Sequence, residues 1–238
     1  MNLEDFHLER TTIWSFPKRG NWATHSGEYR GNWSPYVPRN LILRYSKKGD
    51  WVLDQFVGSG TTLIEAKLLG RNAVGLDINN KALDITRKKL DFPSNSRSFI
   101  KIEKCSARSM SFLKNEKIDF ICTHPPYANI IQYSKKNPDD ISLLPYEDFL
   151  IAMQDVARES YRVLKPGHFC AFMMGDIRKR GNVVDLGFQT MDIFRRCGFI
   201  LKEIIIKEQH NCRSTPQWNS INKDFLLLAH EYIFVLRK

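Results

Sequence analysis

One stretch restricts the fold of this 238-residue chain more than any other. Trp51-Val52-Leu53-Asp54 is an apolar run ending in a carboxylate, residues 55–60 carry two glycines, and Thr61-Thr62 open an apolar stretch that stops at Gly70. A buried strand, a turn that needs glycine and a helix closed by glycine follow from that pattern. The unit then repeats. Residues 72–78, 98–105 and 118–122 read as strands, and Asn79 or Asn80 caps a helix reaching about Leu90. Residues 146–164 carry apolar side chains at helical spacing, Lys165-Pro166-Gly167 stops that helix, and 168–174 is the next strand. A helix over 183–197 ends at Gly198, and 200–207 and 231–237 close the chain as two strands around a polar loop. Strands alternating with helices predict an α/β fold, a doubly wound and mostly parallel sheet with helices on both faces. The final pair has no helix between its members, so one strand runs antiparallel.

Residues 1–35 share none of this periodicity. They are rich in Trp, Arg, His, Gly and Pro, and read as an irregular segment packed on a single domain spanning 36–238, with no room for a separate target-recognition unit. Apolar residues are 42% and charged residues 26%, which sets aside disordered and membrane classes. No apolar run approaches the ~20 residues of a bilayer span. The start, Met1-Asn2-Leu3-Glu4-Asp5-Phe6, lacks the basic flank and apolar core of a secretory leader. Five scattered cysteines without a C-x-x-C pair predict reduced thiols in a cytoplasm and no metal site. Lys and Arg exceed Asp and Glu by 36 to 26, a formal +10 that favours a polyanionic partner.

The glycine turn limits its ligand by what it lacks. A phosphate-binding loop needs a Lys before its Ser or Thr, and a dinucleotide fingerprint needs a third Gly where Leu63 stands. What remains is an acid before the glycines, Asp54, to hold an ammonium, and an acid at the end of the next strand, Asp77, to hold ribose hydroxyls. A cationic amine and a ribose without phosphates describe S-adenosylmethionine.

A second turn, Thr123-His124-Pro125-Pro126-Tyr127, ends the strand over 118–122. Its prolines fix the backbone and remove two donors, leaving carbonyl acceptors beside an aromatic ring. That suits a planar ring bearing an amino group: the carbonyls accept its hydrogens while Tyr127 stacks on it. In a doubly wound sheet, both turns face one crevice if their strands flank the reversal of strand order.

Residues 54–62 resemble the D-P-F-x-G-S-G-T-T motif of DNA amino-methyltransferases, and residues 123–127 resemble their T-S-P-P-Y or D-P-P-Y motif. Pro38-Arg39-Asn40-Leu41-Ile42-Leu43-Arg44-Tyr45-Ser46, residues 162–167 and His230-Glu231-Tyr232-Ile233 are also similar to family segments. The resemblance implies a Rossmann-like class I methyltransferase fold of seven strands with an antiparallel last strand. It implies S-adenosylmethionine as donor and, as acceptor, the exocyclic amine of a flipped base in double-stranded DNA, with cytosine N4 slightly ahead of adenine N6. By that alignment Asp54, Phe56, Gly58, Gly60, Thr61 and Thr62 hold the methionine portion, Asp77 the ribose, and Ile78 and Ser106 border the adenine. Thr123, His124, Pro125, Pro126 and Tyr127 form the catalytic turn.

Three positions depart from the pattern: Gln55 for Pro, Ser106 for an Asp, and His124 for the Ser, Asp or Asn that accepts from the amine. A neutral imidazole accepts through one nitrogen and a protonated one does not, so activity is expected to fall at mildly acid pH as His124 charges. Carbon-5 chemistry needs a nucleophilic Cys, typically after Pro, and none of the five cysteines follows one. Phosphate contacts are expected from Lys135 and Lys136, from Arg178, Lys179 and Arg180, from Arg213 in the final loop, and from Arg19. Residues 16–33 are expected to read bases, cover the cofactor or pack on the sheet. Selectivity then falls to short loops, a homodimer or a partner specificity subunit. An RNA base amino-methyltransferase, a protein-glutamine methyltransferase and a catalytically silent nucleic-acid-binding subunit are the competing readings.

Overall fold

The computed structural model describes residues 6–94, 96–134, 137–210 and 225–238. Its ten strands are β1 (Ile13–Trp14), β2 (Trp51–Asp54), β3 (Asn72–Asp77), β4 (Ile100–Lys104), β5 (Ile118–Thr123), β6 (Leu164–Met174), β7 (Ile177–Lys179), β8 (Asn182–Val184), β9 (Ile200–Glu208) and β10 (His230–Arg237). The helices are α1 (Tyr36–Tyr45), α2 (Thr61–Leu68), α3 (Asn80–Lys89), α4 (Tyr146–Val163) and α5 (Leu186–Arg196).

The main sheet has the order β1-β9-β10-β6-β5-β2-β3-β4. Only β10 runs against its neighbours, pairing antiparallel with both β6 and β9. The chain leaves β2 toward β3 and β4 and returns to β5 on the other side, pairing Val52 with Phe120 and Leu53 with Ile121. Strand order therefore reverses between β2 and β5, and the two turns singled out above stand side by side at that reversal.

Period-two alternation along these strands feeds two cores. Leu53, Ile121, Phe172 and Phe234 join the α4 and α5 side chains on one face, while Val52, Phe120, Ala171 and Val235 join those of α1 and α2 on the other. Helix α4 turns Phe149, Ala152, Met153, Val156, Ala157 and Ser160 inward at helical spacing. Glu147 and Asp148 in its first turn and Arg162 in its last match the helix dipole.

Three local features differ from expectation. Strand β6 begins at Leu164, so Lys165-Pro166-Gly167 lies inside it as a bulge. The partners step from Ile118–Leu164 to Phe120–Phe169, and Gly167 (φ 77°) donates its N–H to the carbonyl of Lys238 at 2.8 Å. Residues 183 and 184, expected to open a helix, instead belong to β8 of a hairpin with β7 around Arg180 (φ 51°) and Gly181 (φ 84°). Two consecutive positive φ values make this the turn that suits strand twist, and β-branched Val183 and Val184 favour the strand. The seven expected strands are joined by an eighth, β1, from the segment expected to be irregular; Ile13 and Trp14 pair parallel with Ile206 and Lys207.

Candidate active site

The β2–α2 turn is held from three sides. Val57 N–H donates to the Leu76 carbonyl (2.8 Å), Gly60 N–H to the Val57 carbonyl (2.8 Å), and Thr86 Oγ1 to the Gly58 carbonyl (2.9 Å). Gly60 has φ 83°, and a Cβ there meets Thr86 Cγ2 at 2.9 Å, so glycine is required on both counts. Asp54 is 2% exposed. Its Oδ1 accepts from Phe56 N–H (3.1 Å) and Thr123 Oγ1 (2.8 Å), and its Oδ2 from Thr62 Oγ1 (2.5 Å). A carboxylate offers about four lone-pair positions, and three are taken. Asp54, expected to hold an ammonium, thus chiefly ties the glycine turn to the Pro-Pro-Tyr turn. Burial raises its pKa to about 6 against these hydrogen bonds.

Beside this turn opens a cleft of about 830 Å³, counted to its open mouth. Asp54, Phe56, Gly58, Thr61, Asp77, Ile78, Ser106, His124 and Pro126 line it. Of the other expected site residues, Gly60 caps α2, Thr62 and Thr123 are bonded to Asp54, Pro125 is buried, and Tyr127 sits just beyond His124. Asp77 Oδ2 accepts from Gly58 N–H (3.0 Å) and Oδ1 from Asn79 N–H (2.9 Å). Burial lifts its pKa to about 6, with the nearby Asp140 charge adding to the rise.

One wall comes in part from residues 16–33, for which covering the cofactor is one of three expectations. Tyr29, Gly31, Asn32 and Trp33 of the N-terminal segment line the cleft, as do Tyr133 and Asp140 from the stretch after the Pro-Pro-Tyr turn. Tyr29 stacks on Tyr133 (6.2 Å, 12°), and the Tyr133 carbonyl accepts from Asn79 Nδ2 at 3.0 Å. Thr61 Oγ1 donates to Asn32 Oδ1 at 2.5 Å. The segment therefore both covers the cleft and packs on the sheet, where Trp14 is almost fully buried. Its aromatic density is the one signal that pointed here.

At the Pro-Pro-Tyr turn, His124 stacks on Trp33 (5.4 Å, 20°) and its Nε2 lies 2.9 Å from Tyr127 Oη. Tyr127 Oη donates to Glu231 Oε1 (2.7 Å), and Lys207 Nζ donates to Glu231 Oε2 (3.0 Å). A Cβ on Gly175 comes within 3.0 Å of Tyr127 Cε2, so a glycine makes room for this ring. Burial lowers the His124 pKa to about 4, helped by Lys207 and Arg19 and opposed by Glu231. This corrects the expectation drawn from an ordinary imidazole: His124 stays neutral through mildly acid pH and charges only below about 4.

The expected phosphate contacts divide. Arg19 turns inward, donating to the carbonyls of Asn32 (2.9 Å) and Trp33 (2.6 Å), with its pKa lowered by burial; it clamps the cleft wall and is not free for phosphate. Arg178 donates to the Gly181 and Leu226 carbonyls (2.5 and 2.7 Å) and covers Phe225. Lys179 and Arg180 are exposed at the hairpin tip. Lys135, Lys136 and Arg213 lie outside the described residues.

A doubly wound sheet with an antiparallel β10 and a glycine turn beside an acid-lined cleft defines the S-adenosylmethionine-dependent methyltransferase fold. Solved structures agree. A methyltransferase from Methanosarcina mazei superposes with TM-score 0.57 at 16% identity over 83% of this chain and 96% of that one. TrmN from Thermus thermophilus does so with TM-score 0.57 at 20% identity over 88% and 50%. A family model described as DNA methylase matches residues 3–88 and 118–238, and the chain belongs to that N6/N4 methyltransferase family. Its cofactor is S-adenosylmethionine. Among curated relatives, the type II methyltransferase M2.DpnII of Streptococcus pneumoniae is 43% identical over 29% of this chain and 25% of its own length. A tRNA (guanine(10)-N2)-dimethyltransferase of Methanothermobacter thermautotrophicus is 37% identical over 42% and 29%. The matched segments thus span under a third of those relatives' lengths.

The cleft fits the cofactor on its own chemistry. Ser59 Oγ and Asp140 Oδ2 are buried with no hydrogen-bond partner among the described residues, and both residues line the cleft. Buried polar atoms without partners are costly, and a ligand rich in hydroxyl and amino groups supplies what they lack.

Proposed function

We propose that this protein methylates the exocyclic amine of a base flipped out of double-stranded DNA, cytosine N4 ahead of adenine N6. The observation that carries the reading is the junction of the two turns: Thr123 and the glycine turn share the carboxylate of Asp54, so the acceptor-lined His124-Pro125-Pro126 corner is fixed against the cofactor cleft. S-adenosylmethionine supplies the methyl group, already activated by its sulfonium. Asp77 binds the ribose, Ser59 and Asp140 satisfy further polar groups, and Ile78 and Ser106 border the adenine. His124 accepts one hydrogen of the target amine and so aims the nitrogen lone pair. Tyr127 closes the base pocket. Catalysis then rests on proximity and orientation, with no covalent intermediate on the enzyme. The chain works as one domain in the cytoplasm, and takes its sequence selectivity from loops, a second copy or a partner subunit.

The test is transfer of labelled methyl groups to duplex DNA, tRNA and a protein extract, followed by nucleoside mass spectrometry. N4-methylcytosine or N6-methyladenine in DNA supports the reading, and label confined to tRNA or protein overturns it. The tRNA reading stands second because a tRNA-modifying enzyme matches 42% of this chain at 37% identity. Light scattering on the purified chain tests the homodimer.

Two further outcomes follow. With Asp77 and Asp54 ionised above about 6 and protonated below it, calorimetry should find S-adenosylhomocysteine bound about tenfold more weakly at pH 5 than at pH 7. Asp77→Asn should bind weakly at both pH values and lose most of that dependence; an unaltered slope in the variant removes Asp77 from the ribose site. Reversing charge at the exposed hairpin tip, Lys179→Glu with Arg180→Glu, should weaken DNA binding and lower the slope of log K against log salt by roughly 2. An unchanged slope places the duplex elsewhere.

A further inference from the structure

The chain from His124 to Lys207 carries more than anchorage. Tyr127 Oη has a single proton, and at 2.7 Å it goes to Glu231 Oε1. Burial works to raise the Glu231 pKa, yet the Lys207 charge, the His124 ring and the hydrogen bonds from Tyr127 and Lys207 outweigh it and favour the ionised carboxylate. A carboxylate is an acceptor only, so Tyr127 cannot turn its proton toward His124 without abandoning Glu231. The 2.9 Å contact between Tyr127 Oη and His124 Nε2 must therefore be donated by Nε2–H. A neutral imidazole with its proton on Nε2 has a bare lone pair on Nδ1. Nδ1 makes no hydrogen bond among the described residues, and His124 lines the cleft. Trp33, stacked on the ring at 20°, fixes its plane.

We propose that Glu231 and Lys207, acting through Tyr127, are positioning residues that lock His124 in the Nε2–H tautomer, so that Nδ1 is the acceptor for the target amine. This rests on the amino-methyltransferase reading above and explains how a histidine replaces an oxygen acceptor in the catalytic turn. Asp, Asn or Ser presents an oxygen lone pair in every state. Imidazole presents one only in the right tautomer, and the wrong one points an N–H at the amine's own N–H. The charged groups that act on the ring are Glu231 from β10, Lys207 from β9 and Arg19 from the N-terminal segment. The two cations disfavour a second proton on His124, and the carboxylate orders the first through Tyr127.

The test begins with the wild-type chain carrying 15N-histidine. Long-range 1H–15N spectra at pH 7 should show His124 protonated on Nε2 alone; an Nδ1–H form or an imidazolium overturns the proposal whether or not the protein methylates anything. Tyr127→Phe keeps the ring and cuts the chain of hydrogen bonds. It should admit the second tautomer and lower kcat roughly tenfold, the size of one hydrogen bond to a reacting group, with S-adenosylhomocysteine affinity unchanged. Glu231→Gln with Lys207→Met removes both charges of the pair and should act alike. In a His124→Asn background, where the acceptor is an amide oxygen, the Glu231 and Lys207 changes should cost less than about twofold. An equal loss in both backgrounds makes Glu231 and Lys207 merely structural and overturns the proposal. A correct tautomer in a protein that methylates no amine would instead sink the function proposed above and leave the tautomer lock standing.

Discussion

Glu65→Ala is expected to lower the unfolding free energy by about 3–5 kcal/mol, the cost of removing one member of a buried ion pair. Glu65 is fully buried on α2. Its Oε1 accepts from Trp22 Nε1 and lies 2.7 Å from His25 Nε2, and its Oε2 accepts from Arg39 Nη1 at 2.8 Å. Arg39 is itself buried, its cation lying 4.9 Å from the Phe6 ring centroid and 6.0 Å from that of Trp22. Without the carboxylate, a guanidinium and an indole N–H are left without acceptors where water does not reach. The damage spreads along the chain. The same network fastens residues 22–39 to α2, and Tyr29, Asn32 and Trp33 within that stretch form one wall of the cleft. Cofactor affinity should fall together with stability, whereas Glu65→Gln keeps one acceptor oxygen and should lose less of both. Urea titration and calorimetry on the two variants check this. A change under about 1 kcal/mol for the alanine variant would mean that Arg39 finds another partner.

The division between what the sequence disclosed and what it hid has a physical basis. Strand–helix alternation and the glycine turn are local: Gly60 needs a left-handed φ, and Val52 and Leu53 alternate between two cores, so both are visible in a short window. The reversal between β2 and β5 was only a condition on the two motifs sharing a crevice, and the strand order meets it. Side chains that turn on distant partners were hidden. Arg19 looked like a phosphate contact until the Asn32 and Trp33 carbonyls took its donors. Asp54 looked like an ammonium ligand, and its hydrogen bonds from Thr62 and Thr123, which tie the two turns together, were not visible in sequence. The helix expected from 183 starts at Leu186, because 183 and 184 belong to a hairpin whose turn depends on Gly181. The wall of Tyr29, Asn32 and Trp33 lies in a segment with no period, held by Arg19, Thr61 and Glu65, none of which announces its partner in sequence.

His124→Phe should lower kcat by about 10²- to 10³-fold, the usual cost of removing a donor or acceptor aimed at the reacting group. Phenylalanine preserves the flat ring on Trp33 and most of the buried area, so the cleft wall should survive. What disappears is the nitrogen pair: the Nε2 contact with Tyr127 and the Nδ1 acceptor proposed above. Since Asp77, Ser59 and the glycine turn are untouched, S-adenosylhomocysteine affinity should stay within about threefold, and the loss should fall on kcat and not on cofactor binding. The wild-type pH profile supplies a second reading. With the His124 pKa lowered to about 4, its neutral form prevails at every pH above that value. At saturating cofactor, kcat should therefore be level between about pH 5.5 and 8 as far as this residue is concerned. Cofactor affinity alone should respond there, as Asp77 and Asp54 titrate near 6. Turnover that survives the phenylalanine exchange within threefold would show that the amine is oriented by the proline carbonyls without help from the ring, and turnover that tracks an ordinary imidazole titration would overturn the lowered pKa of His124.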